Sequence, residues 1–297
     1  MELSWLTKLK ITAVAALGAI VIGILAWPLV VPNDPLTPVR FSILSPVNTM
    51  TLLVLAFILG FAGYFIGWPH GREIGILAAP AGLVVWAIRS QNLAVLFQLN
   101  STIPQRQTLL AGLRWEPLFW LLIVAAGFVG VLAAQYLRPV IQAESTPNYP
   151  NRKLDKHVAA LVGITVSSAI VYLVLRVFTC DVSPTENSAA AQPLTGQIAF
   201  AVLMSFGLAT FILKKYLNLS YIWSLPASVI VIAFSASNYL RERVLTHFIS
   251  SYPANFFPDV IISILPVQMV AFGTFGAIIG YWLAFRYDYW RQYESSQ

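Results

Sequence analysis

The sharpest chemistry in this sequence lies in one thiol and one imidazole. Cys180 is the single cysteine and His247 one of only three histidines. A histidine base that activates a cysteine thiolate is a sound acyl-transfer arrangement. Arg176 or Arg241 would add a positive charge beside it, giving an outer-leaflet enzyme of acyl-transfer or peptidase-like type. So few residues make the pairing an easy coincidence, and a cysteine at a helix end is ordinarily inert. The enzyme reading therefore ranks second.

Five arginines form a broader candidate set: Arg89, Arg106, Arg114, Arg241 and Arg243. A guanidinium fork matches phosphate and carboxylate oxygens bidentately. The set is thus a candidate binding surface for an anionic lipid head group, a phosphate-bearing ligand or a membrane-protein partner. Arginines also anchor helices at head-group depth without any ligand, which is their commoner role. His70 and His157 have no partners at metal-ligand spacing, and one cysteine excludes both an intramolecular disulfide and a thiolate cluster. No glycine-rich phosphate loop follows a strand pattern. The sequence implies no metal and no cofactor.

The elements that would position these side chains are set by composition. Of the 297 residues, 58% are hydrophobic and 10% charged, too few charges to make a water-facing surface. The apolar residues fall in runs near the roughly 20 residues that cross a bilayer as a helix. An unpaired peptide group in hydrocarbon costs several kcal/mol, so each run must be helical. The fold class is an all-α polytopic transmembrane bundle of about eight spans, predicted at about 11–31, 50–68, 74–88, 117–137, 158–178, 197–213, 221–236 and 264–285. The third and seventh are short, as a re-entrant or little-tilted helix would be. Lys8 and Lys10 before an apolar run resemble a signal peptide, but that run is long and no small-residue cleavage site follows, so it reads as retained.

Orientation follows from the basic residues. The formal charge of +6 is spread through short loops, unlike the concentrated basic face of a nucleic-acid binder. Lys8, Lys10, Arg72, Arg138, Arg152, Lys153, Lys156, Lys214, Lys215, Arg286 and Arg291 share one set of alternate loops and tails. They place both termini in the cytoplasm of a cell membrane, with Trp282, Tyr287, Tyr289 and Trp290 at the inner interface. Compact loops and a basic inner side fit a bacterial inner membrane. The loop with Asp181 and Glu186 lies outside, as do Arg40 and the five arginines.

The chain also reads as a duplication. The run from Pro80 to Ile88 aligns with that from Pro226 to Phe234. Pro46 matches Pro193 before the second span of each copy, and Pro117 matches Pro266 before the fourth. Gly127 and Gly276 then stand at equal depth, and Val14-Ala15-Ala16-Leu17 faces Val158-Ala159-Ala160-Leu161. The expected domains are a four-helix repeat over 1–137, a cytoplasmic linker over 138–157 and a second repeat over 158–297. Four spans per copy keep both copies in one orientation.

Each copy has a long outer segment before its fourth span. In the second copy Leu240, Val244, Leu245, Phe248 and Ile249 share one helical face, and Arg241, Glu242, Arg243, Thr246 and His247 share the other. That pattern predicts an interfacial helix. The first copy has a more apolar version, with the run 93–99 followed by Arg106, Leu109, Leu110, Leu113 and Arg114. The two outer segments would flank a groove between the repeats.

Coupled transporters need an intramembrane carboxylate or histidine. Here Glu73 and Glu116 flank helix starts, while Asp181, Glu186, Asp259 and Asp288 fall in loops or tails. Ser167, Ser168, Ser205, Ser235 and Gln268 are left as candidates for helix–helix hydrogen bonds. The leading functional expectation is a non-enzymatic transporter-like protein or membrane-complex subunit. Its partners are the bilayer and an anionic lipid or membrane protein, with no nucleic acid.

Overall fold

A computed structural model of the chain describes residues 4–32, 37–90, 93–139, 156–179, 190–250, 254–255 and 260–295. It is an all-α polytopic bundle, with eight helices long and apolar enough to cross a membrane among the described residues. The helices are α1 (Trp5–Gly18), running on as a π-helix over Ala19–Leu25, α2 (Pro46–Ile66), α3 (Gly71–Gly75), α4 (Ala78–Arg89), α5 (Leu93–Leu99), α6 (Ile103–Leu113), α7 (Glu116–Leu137), α8 (Lys156–Phe178), α9 (Thr195–Leu217), α10 (Ala227–Tyr239), α11 (Glu242–Ser250) and α12 (Pro266–Ser295). A two-residue parallel pairing joins Ala190–Ala191 to Ala254–Asn255.

Local chemistry sets the helix ends. Ser45 accepts the Asn48 N–H at 3.1 Å, and Pro46 follows at the first helical position, where its missing N–H costs nothing. Ser4 caps α1 in the same way, accepting from Thr7 at 3.2 Å. The first span therefore starts at Trp5, before its apolar stretch, and it ends by Leu25 because Trp27–Leu29 turn into a 3-10 helix around Pro28. Asn218 closes α9 in the left-handed region at φ 51°, with Leu219 N–H reaching back to Leu213 at 3.3 Å. The last helix outruns its predicted end at 285 and continues to Ser295, because no Pro or Gly interrupts its final turns.

The chain divides into two compact units. The first is Met1–Leu96, Glu116–Gln142 and Leu265–Ala271; the second is Phe97–Trp115, Ala143–Ile264 and Phe272–Gln297. In the first unit the third span is interrupted after Gly75 and resumes at Ala78. Its residues Ala78 to Leu83, with Trp86 and Ala87, are buried. Small residues allow this, since the π-helix meets α4 where Gly18 lies on the Ala78 backbone and Gly82 lies on Ile22. Packing α2 along α7 takes the same form: a methyl at Gly60 would collide with the Gly127 carbonyl, and one at Gly130 with the Phe57 carbonyl.

The second unit repeats that device. Gly207 faces the Gly276 carbonyl at 3.4 Å from its would-be Cβ, and methyls at Gly276 and Gly280 would strike the Leu203 and Gly207 carbonyls. α8 packs along α9 in this unit. Three of the four hydroxyls expected to join helices bond instead to their own: Ser167 and Ser168 donate to the Ile164 carbonyl at 3.0 and 2.7 Å, and Ser205 to Ala201 at 2.6 Å. A serine hydroxyl reaches the preceding turn without any neighbour, which satisfies it locally. In the first unit Gln268 does bridge helices. It accepts the Leu265 N–H at 3.1 Å and donates to the Ala87 carbonyl of α4 at 3.3 Å.

Aromatic rings collect the basic side chains at the ends of α2 and α9. In the first unit Lys10 donates to the Trp68 carbonyl, and Arg138 lies 4.2 Å over the Trp68 ring. In the second, Lys215 sits 4.4 Å from the Tyr287 ring, and Lys214 donates to Asn218 Oδ1 at 2.6 Å.

Gly60→Leu or Gly276→Leu should lower thermal stability in detergent by about 1–3 kcal/mol or more, from overpacking. Gly112, with open space around it, should accept alanine with stability unchanged or higher. A Gly60→Leu melting curve matching the unsubstituted chain would refute the close crossing.

Candidate functional site

Four of the five candidate arginines belong to the second unit and Arg89 to the first. Arg89 ends α4 exposed, with its guanidinium 4.2 Å over the Trp27 ring. That cation–π contact in the first unit is worth roughly 0.5–1 kcal/mol at an exposed site.

In the second unit α6 touches both α10 and α11. Gln105 accepts the Thr102 N–H at 3.3 Å and helps start α6, which places Arg106 one turn in. Arg106 then donates from Nε to the Asn100 carbonyl at 2.8 Å and from Nη2 to the Phe97 carbonyl at 3.1 Å. These carbonyls close α5, where a helix end leaves acceptors unmet. The guanidinium also lies 5.3 Å from the Phe97 ring and 5.4 Å from that of Phe248. Arg106 is thereby a structural clamp. Arg114 sits in the two-residue turn between α6 and α7, 4.9 Å over Trp115.

α11 forms as its sequence pattern predicts. Leu245 and Phe248 are buried, Phe248 against Phe97 and Tyr239, while Arg241, Glu242, Arg243, Thr246 and His247 are exposed. Ile249, expected on the apolar face, is 42% exposed. Arg241, in the bend just before α11, and Arg243, on its first turn, both stand exposed. Cys180 lies outside the described residues, so only His247 of the thiol–imidazole pair can be placed, on the outward face of α11.

The more unusual site is one that the sequence reading passes over. Glu116 opens α7 in the first unit and is only 3% exposed. The 3-10 turn Phe41–Ile43 lies across it: the N–H groups of Phe41 and Ser42 bond to the carboxylate, and the Ser42 hydroxyl donates to Oε1 at 3.3 Å. Arg40, just before that turn, attracts it electrostatically. Phe41 stacks on Phe119 at 3.9 Å and meets Trp120 edge-on at 6.3 Å, and Trp120 in turn meets Trp86 at 6.2 Å. Among the described residues, Glu116 Oε2, Arg40 Nε and the indole N–H groups of Trp86 and Trp120 are buried without a hydrogen-bond partner. A glutamate directly before Pro117 looks like an ordinary solvated first-turn acid. Its burial comes from a turn more than 70 residues upstream, which no local pattern reveals. The signal present was the Glu116–Trp120 pair, one turn apart and so on one helix face.

The chain matches no protein-family model, no curated protein and no solved structure. The site must be read from its own geometry.

Arg106→Ala should destabilise the protein by about 1–3 kcal/mol, the cost of leaving buried carbonyls unmet. Hydrogen exchange should quicken around Phe97 and Asn100. Unchanged exchange there would remove the clamp role.

Proposed function

We propose that the chain is a non-enzymatic, transporter-like membrane protein. It is built from two parallel copies of a four-helix unit, with both termini in the cytoplasm. On this reading the start of α11 carries Arg241 and Arg243 to the outer head-group layer, where they hold an anionic lipid head group.

The observation that carries this reading is the repeated glycine crossing. Gly60 against Gly127 and Gly207 against Gly276 pair the second and fourth spans of each copy. The step from Gly60 to Gly207 equals that from Pro46 to Pro193, and the step from Gly127 to Gly276 equals that from Pro117 to Pro266. Chance likeness between apolar helices does not explain shared helix order, shared proline spacing and a shared crossing register. Parallel repeats are a build that many transporters use. The exposed arginines at the start of a helix whose apolar face is already packed support the head-group role. Arg106 drops out of the binding set, since two of its three guanidinium nitrogens serve carbonyls of its own unit and the third is buried.

Native mass spectrometry of the protein extracted gently from its membrane tests this. The unsubstituted chain should retain phosphatidylglycerol, and Arg241→Gln with Arg243→Gln should weaken retention by about 30-fold at roughly 1 kcal/mol per arginine. Unchanged retention by the folded double variant would sink the head-group assignment. A stoichiometric protein partner in place of lipid would make the chain a subunit of a membrane complex.

A further inference from the structure

Independently of the outer arginines, we propose that the buried cluster at the start of α7 binds a small zwitterion. Its chemistry is an ammonium beside a phosphate, as in an ethanolamine phospholipid head group. The ammonium would donate to Glu116 Oε2, and the phosphate oxygens would accept from Arg40 Nε and the indoles of Trp86 and Trp120.

Four features of the first unit lead there. An unmet buried polar atom costs about 1–3 kcal/mol, and native proteins keep few of them. Here four occur on residues joined in one chain of contacts: Glu116 Oε2, Arg40 Nε, Trp86 Nε1 and Trp120 Nε1. Contiguity follows from the contacts already described, which run from Glu116 through Ser42 and Phe41 to Trp120 and Trp86.

Charge narrows the ligand. With the Glu116 carboxylate ionised, Glu116 and Arg40 cancel, so a lone anion or cation would leave an unbalanced buried charge, which is strongly unfavourable. A zwitterion keeps the site neutral while pairing both ends. The hydrogen-bonding count agrees, with three spare N–H donors and one spare acceptor oxygen. A phosphate is rich in acceptors, and an ammonium supplies the missing donor.

Position supplies the source. Leu118 and Phe119, on the first turns of α7 beside Glu116, are 42% and 38% exposed, and Leu122 is 54% exposed. Those apolar side chains would face lipid, so a head group could enter sideways while its chains rest on Leu118 and Leu122. A choline head group has no N–H for Oε2, and a glycerol head group has no cation for Glu116.

The full chain in detergent is titrated with dioleoyl phosphatidylethanolamine, phosphatidylcholine or phosphatidylglycerol and read by native mass spectrometry, with free phosphoethanolamine as competitor. The ethanolamine lipid should be retained at about tenfold lower concentration than the other two, the worth of a charged hydrogen bond. Trp120→Phe and Trp86→Phe keep a ring and lose the N–H, so each should cut that retention about tenfold without a matching loss of thermal stability. Displacement by free phosphoethanolamine would show that the head group alone is recognised; lipid binding without such displacement would assign the chains a share. Either result carries the proposal. Equal retention of the three lipids, or undiminished retention by both tryptophan variants and by Glu116→Gln, overturns it.

Discussion

Helices in hydrocarbon gain nothing from burying leucine against leucine, because the lipid is equally apolar. Association must come from close approach of backbones and from polar groups that find partners. The glycines meet that requirement here. Gly60 and Gly130 let α2 and α7 touch at their backbones in the first unit, and Gly207, Gly276 and Gly280 do the same for α9 and α12 in the second. Gly18 and Gly82 bring the first span onto α4, which accounts for a span interior enough to bury every residue from Ala78 to Leu83. The large apolar side chains left exposed, such as Val47, Met50, Val54 and Ile58 on α2, are then the surface that lipid covers.

The second requirement governs the polar residues. Most are neutralised within a turn or two of their own position. Serines bond to their own helix, Gln268 serves a helix start and a neighbouring carbonyl, and Arg106 closes α5. Against that background Glu116 and its neighbours stand out because four of the eight buried unpartnered side-chain atoms among the described residues belong to one chain of contacts. The glycine frame recurs in both units, whereas the Glu116 cluster does not. By the register of the proposed duplication, Trp86, Glu116 and Trp120 correspond to Ile232, Leu265 and Met269, three apolar residues. A shared frame with polar chemistry on one copy is the pattern expected when one half of a duplicated protein keeps a ligand site.

The helices themselves were legible in the sequence. Apolar runs of bilayer length leave a single way to satisfy the backbone, so all eight spans could be placed, with shifts at ends where caps such as Ser4 or the polar turns after Phe285 decide. The amphipathic period of α11 was equally plain, because Leu245 and Phe248 against Arg241 and Arg243 is a pattern within one helix. The fates of the arginines were not legible. Arg106 and Arg243 are the same residue type on similar short helices, yet one is a clamp and the other stands in the open.

What the sequence by itself determined, then, is the class of protein, the number of its membrane helices and the faces of its amphipathic segments, since each depends on solvent preference along a short stretch of chain. Only the tertiary structure decided which small residues are helix crossings, which cations are consumed, and that Glu116 is buried beneath the turn Phe41–Ile43. Those outcomes depend on atoms brought together across tens of residues. A carboxylate's surroundings, unlike its helix, are not written beside it.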